Sequence, residues 1–143
     1  MFMFEELGKY RNCGQFNFKS NESLKVKCNA PKNESGIYLV FGLMNDKEEL
    51  IYVGSSGKMQ KNGTLKHRQG GLFDRIVNGI QFNGPRYKTW PLKMNEENIK
   101  MICVHWFVTF KDEIKDIPAF SECIIIQRSF KNNGCLPRWN EEF

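Results

Sequence analysis

Gly36-Ile37-Tyr38-Leu39-Val40-Phe41-Gly42-Leu43, followed after a short turn by Leu50-Ile51-Tyr52-Val53-Gly54, decides how this chain folds. Alternate residues of a strand share a face. Ile37, Leu39, Phe41 and Leu43 therefore fall on one face of the first run, with Tyr38, Val40 and Gly42 on the other. In the second run Ile51 and Val53 fall on one face, with Leu50, Tyr52 and Gly54 on the other. The intervening Met44-Asn45-Asp46-Lys47-Glu48-Glu49 is rich in turn residues. The pair reads as an antiparallel hairpin. A register that matches apolar with apolar puts both phenols side by side, opposite the Ile/Leu face.

Working outward, residues 1–35 are weakly patterned. Phe16 and Phe18 alternate, as do Leu24, Val26 and Cys28, which suggests an extended or β arm ending in the loop Asn29 to Ser35. After the hairpin, Thr64 can cap a helix from Leu65 to about Asn78, with Leu65, Leu72, Phe73, Ile76 and Val77 at helical spacing. Gly70-Gly71 inside it would cost about 1 kcal/mol each, so the helix bends or starts late. Arg68 projects from the edge of the apolar stripe towards the sheet, and Arg75 follows two turns on. Residues 78–93 read as a long, basic connection containing aromatics. Residues 99–110 have the alternation of a third strand. Pro118 suits a helix's first turn, and that helix should run to about Lys131. Gly134 and Pro137 then break the chain before Arg138-Trp139-Asn140.

The 143 residues, 41% hydrophobic and 26% charged, suit one globular domain, with residues 1–35 as an arm and 36–143 as its body. No apolar run approaches the ~20 residues of a membrane helix. The start lacks the basic flank and apolar length of a secretory signal. Five cysteines, none in a Cys-x-x-Cys pair, point to reduced thiols in a cytoplasm rather than a zinc site. The net charge is +5, yet residues 58–100 carry nine Lys/Arg against three acids, so the rest of the chain is slightly acidic. Such concentrated charge suits a polyanion such as DNA, or else is a solvated basic surface. In the 78–93 segment Arg86, Gln81 and Asn83 have side chains that can read base edges. Lys88 and Arg75 add positive charge.

Phosphodiester hydrolysis needs a group that orients or deprotonates water and a group that steadies the transition-state charge. It usually also needs a divalent metal on a hard oxygen ligand. Glu122 sits on a helix that is apolar nearly all round, where a carboxylate must pair or hold a cation. It reads as a metal ligand or as the partner of Arg68 or Arg128. Arg68 can clamp a phosphate or make that ion pair. Tyr38 and Tyr52 are water-handling phenols or core aromatics. A phenol with pKa near ~10 is a poor base at neutral pH unless cations such as Lys58, Arg68 or a metal lie close. His67 is a surface residue or a proton relay. Asn140 is a tail residue or a brace for the site.

Gly36-Ile37-Tyr38, Tyr52-Val53-Gly54, Leu65-Lys66-His67-Arg68, Ser121-Glu122 and a closing Asn140 occur in the order of the GIY-YIG nucleases, and residues 36–140 resemble that family. The resemblance implies an α+β fold, a small three-stranded antiparallel sheet flanked by helices. It also implies Mg²⁺ or Mn²⁺ on Glu122 and water attack on a DNA phosphate. By position, Tyr38 would orient or deprotonate the water, Tyr52 support it, Arg68 clamp the phosphate and Asn140 brace the site. Val53 stands where Ile is usual, and the loop from Gly54 to Leu65 is longer than common, so Lys58, Lys61 and Lys66 compete as the assisting lysine. Leu72 stands where many members have Tyr or His, so His67 or Tyr87 is left as the second proton-handling group. The stand-alone layout is similar to restriction-type or mobile-element members. The expectation is a metal-dependent endonuclease of double-stranded DNA, cutting as a homodimer or by sequential nicking. The rivals are a nuclease for branched or damaged DNA and a non-catalytic binding module.

Overall fold

A computed structural model describes residues 4–143; the arm's first three residues lie outside it. A 3-10 turn, Glu5–Lys9, is followed by β1 (Cys13–Phe18), α1 (Leu24–Lys27), β2 (Gly36–Met44), β3 (Lys47–Ser56), α2 (Gly71–Asn78), α3 (Arg86–Glu96), β4 (Met101–Val108) and α4 (Pro118–Asn133). Three two-residue ladders lie between them: Lys58–Met59 with Leu65–Lys66, Ile80–Gln81 with Gly84–Pro85, and Phe110–Lys111 with Ile114–Lys115.

The sheet is antiparallel with strand order β1-β4-β2-β3. It has four strands, where three were expected. The extra one comes from the arm: β1 pairs with β4 in unbroken register from Cys13↔Phe107 to Phe18↔Ile102. Phe16 and Phe18 supply the reason, since both are buried in the core while their neighbours face solvent. The described part of the arm thus supplies a strand and core side chains to the same sheet.

The hairpin turns on Asn45 and Asp46, both left-handed (φ 50° and 61°), as a two-residue turn matching strand twist requires. Val40 pairs with Tyr52 and Phe41 with Leu50, leaving Ile51 as a bulge. The bulge puts Ile51 on the same side as Tyr52, and Leu50 with Val53, contrary to strict alternation.

Both faces of the sheet are covered. Ile37, Leu39, Phe41 and Val53 pack with Ile125 and Ile126 of α4 and with Phe4, Leu7 and Tyr10. Tyr38, Val40 and Ile51 pack with Leu72 and Ile76 of α2, Trp90 and Met94 of α3, and Trp139. The phenol face is therefore a second core and not a solvent face. Gly36 is obligatory in this sheet: a Cβ there would collide with the carbonyl oxygen of Phe107.

Two stretches depart from expectation. The helix read from Leu65 begins only at Gly71, because Gly70 and Gly71 are both left-handed (φ 86° and 59°). A Cβ on Gly71 would lie 2.7 Å from the Lys32 carbonyl carbon. Residues 78–93 are not an outlying connection. A tight turn at Phe82-Asn83 leads into α3, which continues through Pro91.

Candidate functional site

The phenols of Tyr38 and Tyr52 lie on one face, ring centroids 6.0 Å apart. Gly54 makes this close packing feasible, since a Cβ there would stand 2.5 Å from the Tyr38 hydroxyl and 2.8 Å from the Tyr52 ring. Tyr38 is wholly buried. Burial pushes Tyr52 up to about 12; Tyr38 adds to the shift, and Arg86 and Arg75 act against it. At neutral pH Tyr52 is thus a neutral hydrogen-bonding group.

Two arginines lie beside these phenols, Arg75 and Arg86, and Arg68 is not one of them. Because α2 starts at Gly71, Arg68 falls in the preceding loop, where it is exposed and its Nε donates to Asp74 at 2.8 Å. Arg75 lies on α2 with its guanidinium against the Tyr38 hydroxyl. Tyr38 chiefly, then Tyr52 and Glu122, hold it protonated against the opposing effect of burial. Its Nε is buried without a hydrogen-bond partner.

Glu122 reaches the same region from α4. Its Oε1 accepts a hydrogen bond from Ser55 Oγ at 2.7 Å, one residue after Gly54. Burial pushes its carboxyl above the ordinary range, while Ser55 and Arg75 act in the opposite sense. No ion pair to Arg68 or Arg128 forms: Arg68 is bound to Asp74, and Arg128 to Glu6. A carboxylate with one oxygen anchored by Ser55 and no ion pair within 4 Å among the described residues has the hard oxygen donor that a divalent cation such as Mg²⁺ takes. Among the described residues no group of three His, Cys, Asp or Glu gathers into a larger metal cage.

A cleft of about 540 Å³ opens beside this cluster. Ser55, Ser56 and Gly57 form one side, Lys58, Lys66, His67 and Arg68 the other, and Arg75 also lines it. Lys58 and Lys66 are direct cross-strand partners, both exposed. Like charges placed opposite each other are destabilising without an anion between them. His67 accepts or donates through Nδ1 to Ser35 Oγ at 2.6 Å, and Ser35 is fully buried. Asn140 braces the edge of β3: its Oδ1 accepts from Val53 N and its Nδ2 donates to Val53 O, both at 3.0 Å.

The segment expected to read DNA bases divides. Arg86 is only 1% exposed. Its Nη1 donates to Tyr38 Oη at 2.6 Å and to the Arg75 carbonyl at 2.8 Å, and its Nε donates to Gln81 Oε1 at 3.0 Å. Gln81 Oε1 also accepts from Trp90 Nε1 at 2.9 Å. Neither Arg86 nor Gln81 is placed to touch a base, because both are committed to the interior. Asn83 and Lys88 are exposed, and Lys88 lies over the Tyr87 ring. His105 stacks edge-on against Phe41, within the sheet.

Sequence reasoning put Arg75 among DNA contacts and missed Ser55 and Ser35. Gly70-Gly71 was the available signal for Arg75: a helix starting there turns the next arginine towards the phenols. Comparisons with models of known protein families, with curated proteins and with solved structures returned no match.

Proposed function

We propose that this protein is a metal-dependent endonuclease that hydrolyses phosphodiester bonds of double-stranded DNA, as its motif resemblance to the GIY-YIG nucleases suggests. The observation that carries the reading is Arg75. Its buried donor has no protein acceptor, it touches Tyr38, and it lines a cleft edged by opposed lysines. A phosphate oxygen is the acceptor that such a group lacks.

In this reading the scissile phosphate enters the cleft over Lys58 and Lys66. Arg75 turns onto the phosphate and clamps it, which frees the Tyr38 hydroxyl to orient the attacking water. Tyr52 stays neutral and donates a hydrogen bond. Ser55 aims the Glu122 carboxylate. Glu122 would hold a Mg²⁺ or Mn²⁺ ion, which supplies charge neutralisation at the phosphate oxygens when bound. His67, oriented by Ser35, stands where a proton could be passed to solvent. Arg68, Lys61 and Lys88 contribute backbone attraction.

The test is plasmid nicking in Mg²⁺. Glu122→Ala should abolish nicking, and Arg75→Lys should cost about 10²–10³-fold in rate, since lysine keeps the charge and loses the fork. Arg68→Lys should stay within about threefold, as expected for an exposed ion pair. Equal cleavage by wild type and Glu122→Ala would remove the carboxylate from the chemistry. No cleavage by any of them on linear, flapped or branched DNA would leave the binding-module reading. A preference for flaps or junctions would assign the protein to branched substrates.

A further inference from the structure

Arg86 is a cation inside the core with no carboxylate beside it among the described residues. It is enclosed by the rings of Tyr38, Tyr52 and Trp90, at 5.4, 5.1 and 5.3 Å from its guanidinium carbon. Ring quadrupoles recover part of the desolvation cost, but an apolar side chain of similar size would remove that cost altogether. The local chain is shaped to bring this cation in. Arg86 N donates to the Gly79 carbonyl at 2.9 Å. A Cβ on Gly79 would stand 2.9 Å from Arg86 Nη1. Phe82 and Asn83 take left-handed backbone (φ 56° and 68°) to close the turn.

We propose that Arg86 is a positioning residue for Tyr38 and Arg75, a role that rests on the nuclease reading above. One nitrogen, Nη1, grips both: it donates to the Tyr38 hydroxyl and to the backbone carbonyl of Arg75. By occupying one side of the phenol oxygen, Arg86 leaves the hydroxyl's proton and remaining lone pair for the side where Arg75 and the water stand. Its charge also lies beside that oxygen, where negative charge gathers as the water is drawn to it. Arg86 exchanges no proton itself, because a guanidinium does not give one up in proteins. Gln81 serves the arrangement by supplying a neutral acceptor: an amide holds Arg86 Nε without cancelling its charge.

The experiment measures kcat and KM for plasmid cleavage in Mg²⁺ for the wild type and for Arg86→Met, Arg86→Lys and Gln81→Glu, with circular dichroism to confirm folding. Arg86→Met should lower kcat by about 10²–10⁴-fold with KM nearly constant, and Arg86→Lys should recover about tenfold of that loss by restoring the charge. Gln81→Glu, nearly isosteric, should lower kcat about tenfold by neutralising the guanidinium. A role in DNA contact would instead raise KM, and a role in packing would make Lys and Met equally poor; either result overturns the proposal. Should Arg86→Met fail to fold, wild-type kcat in both Arg86→Lys and Gln81→Glu overturns it as well. A wild-type protein that cuts no DNA sinks the nuclease reading and this proposal together. A cutting wild type with kcat unaffected in Arg86→Met sinks this proposal alone.

Discussion

At the scale of single residues, the site depends on the absence of side chains as much as on their presence. Gly54 separates Tyr52 and Val53 from Ser55, and a methyl group there would meet both phenol rings. Gly54→Ala should therefore cost about 1–3 kcal/mol through overpacking and displace Tyr38 from Arg86, visible as a lowered Tm together with lost cleavage. The two motif tyrosines and Glu122 were legible in the sequence because a period of two and an acid on an apolar helix are strong local signals. The choice between Arg68 and Arg75 was not. It turns on two left-handed glycines, and one of them, Gly71, lies against the Lys32–Glu34 backbone, about forty positions away along the chain. The burial of Arg86 was hidden for the same kind of reason. A basic residue in a basic stretch looks like surface until the turn at Phe82-Asn83 is seen to fold it inward.

At the scale of elements, the two-residue ladder after β3 carries the electrostatic argument. Lys58 and Lys66 face each other across it, and neither forms an ion pair among the described residues. Removing one should relieve repulsion and, in the proposed nuclease reading, also weaken DNA binding. Lys66→Ala is expected to leave Tm unchanged or slightly raised. The slope of log affinity against log salt should flatten by about 0.9. Fluorescence anisotropy across a salt series measures it, and an unchanged slope would place the DNA elsewhere. The hairpin and α4 were readable in the sequence, since their patterns run over nine residues or more. The helix α3 was not, because Pro91 and four charged residues disguised it. Pro91 is the sixth residue of α3 and forgoes the ladder bond to the Tyr87 carbonyl, yet the helix continues through it.

At the scale of the whole molecule, the N-terminal region is fastened both to the sheet and to the start of α4. β1 covers the edge of β4, and the turn before it is pinned by Tyr10, whose hydroxyl donates to Asp116 Oδ2 at 2.7 Å and meets Ser121 Oγ at 2.8 Å. Lys9 Nζ adds an ion pair to the same Asp116 oxygen at 2.7 Å. Partial burial works against ionisation of Asp116, but the bonds from Lys9 and Tyr10 outweigh it and hold the carboxyl below its ordinary range. A carboxyl lowered by folding contributes stability that is fully present above its unfolded value, about 3.9, and is lost as pH falls through the folded value. The docking of residues 4–10 should hold from neutral pH down to about pH 4 and loosen only in stronger acid. Amide hydrogen exchange at Leu7 and Tyr10, compared between pH 6 and pH 3 after correction for intrinsic rates, would show it. Asp116→Asn should loosen the segment already at pH 6, and equal protection in both proteins would mean that packing of Phe4, Leu7 and Tyr10 alone holds it. Deleting residues 1–35 goes further. Phe16, Phe18 and Leu24 leave the core at roughly 1.5–3 kcal/mol each, and β4 is exposed as an unpaired edge. Set against a typical total stability of about 5–15 kcal/mol, that loss should leave residues 36–143 unfolded or aggregated. A soluble, cooperatively melting 36–143 fragment would show instead that the three remaining strands suffice.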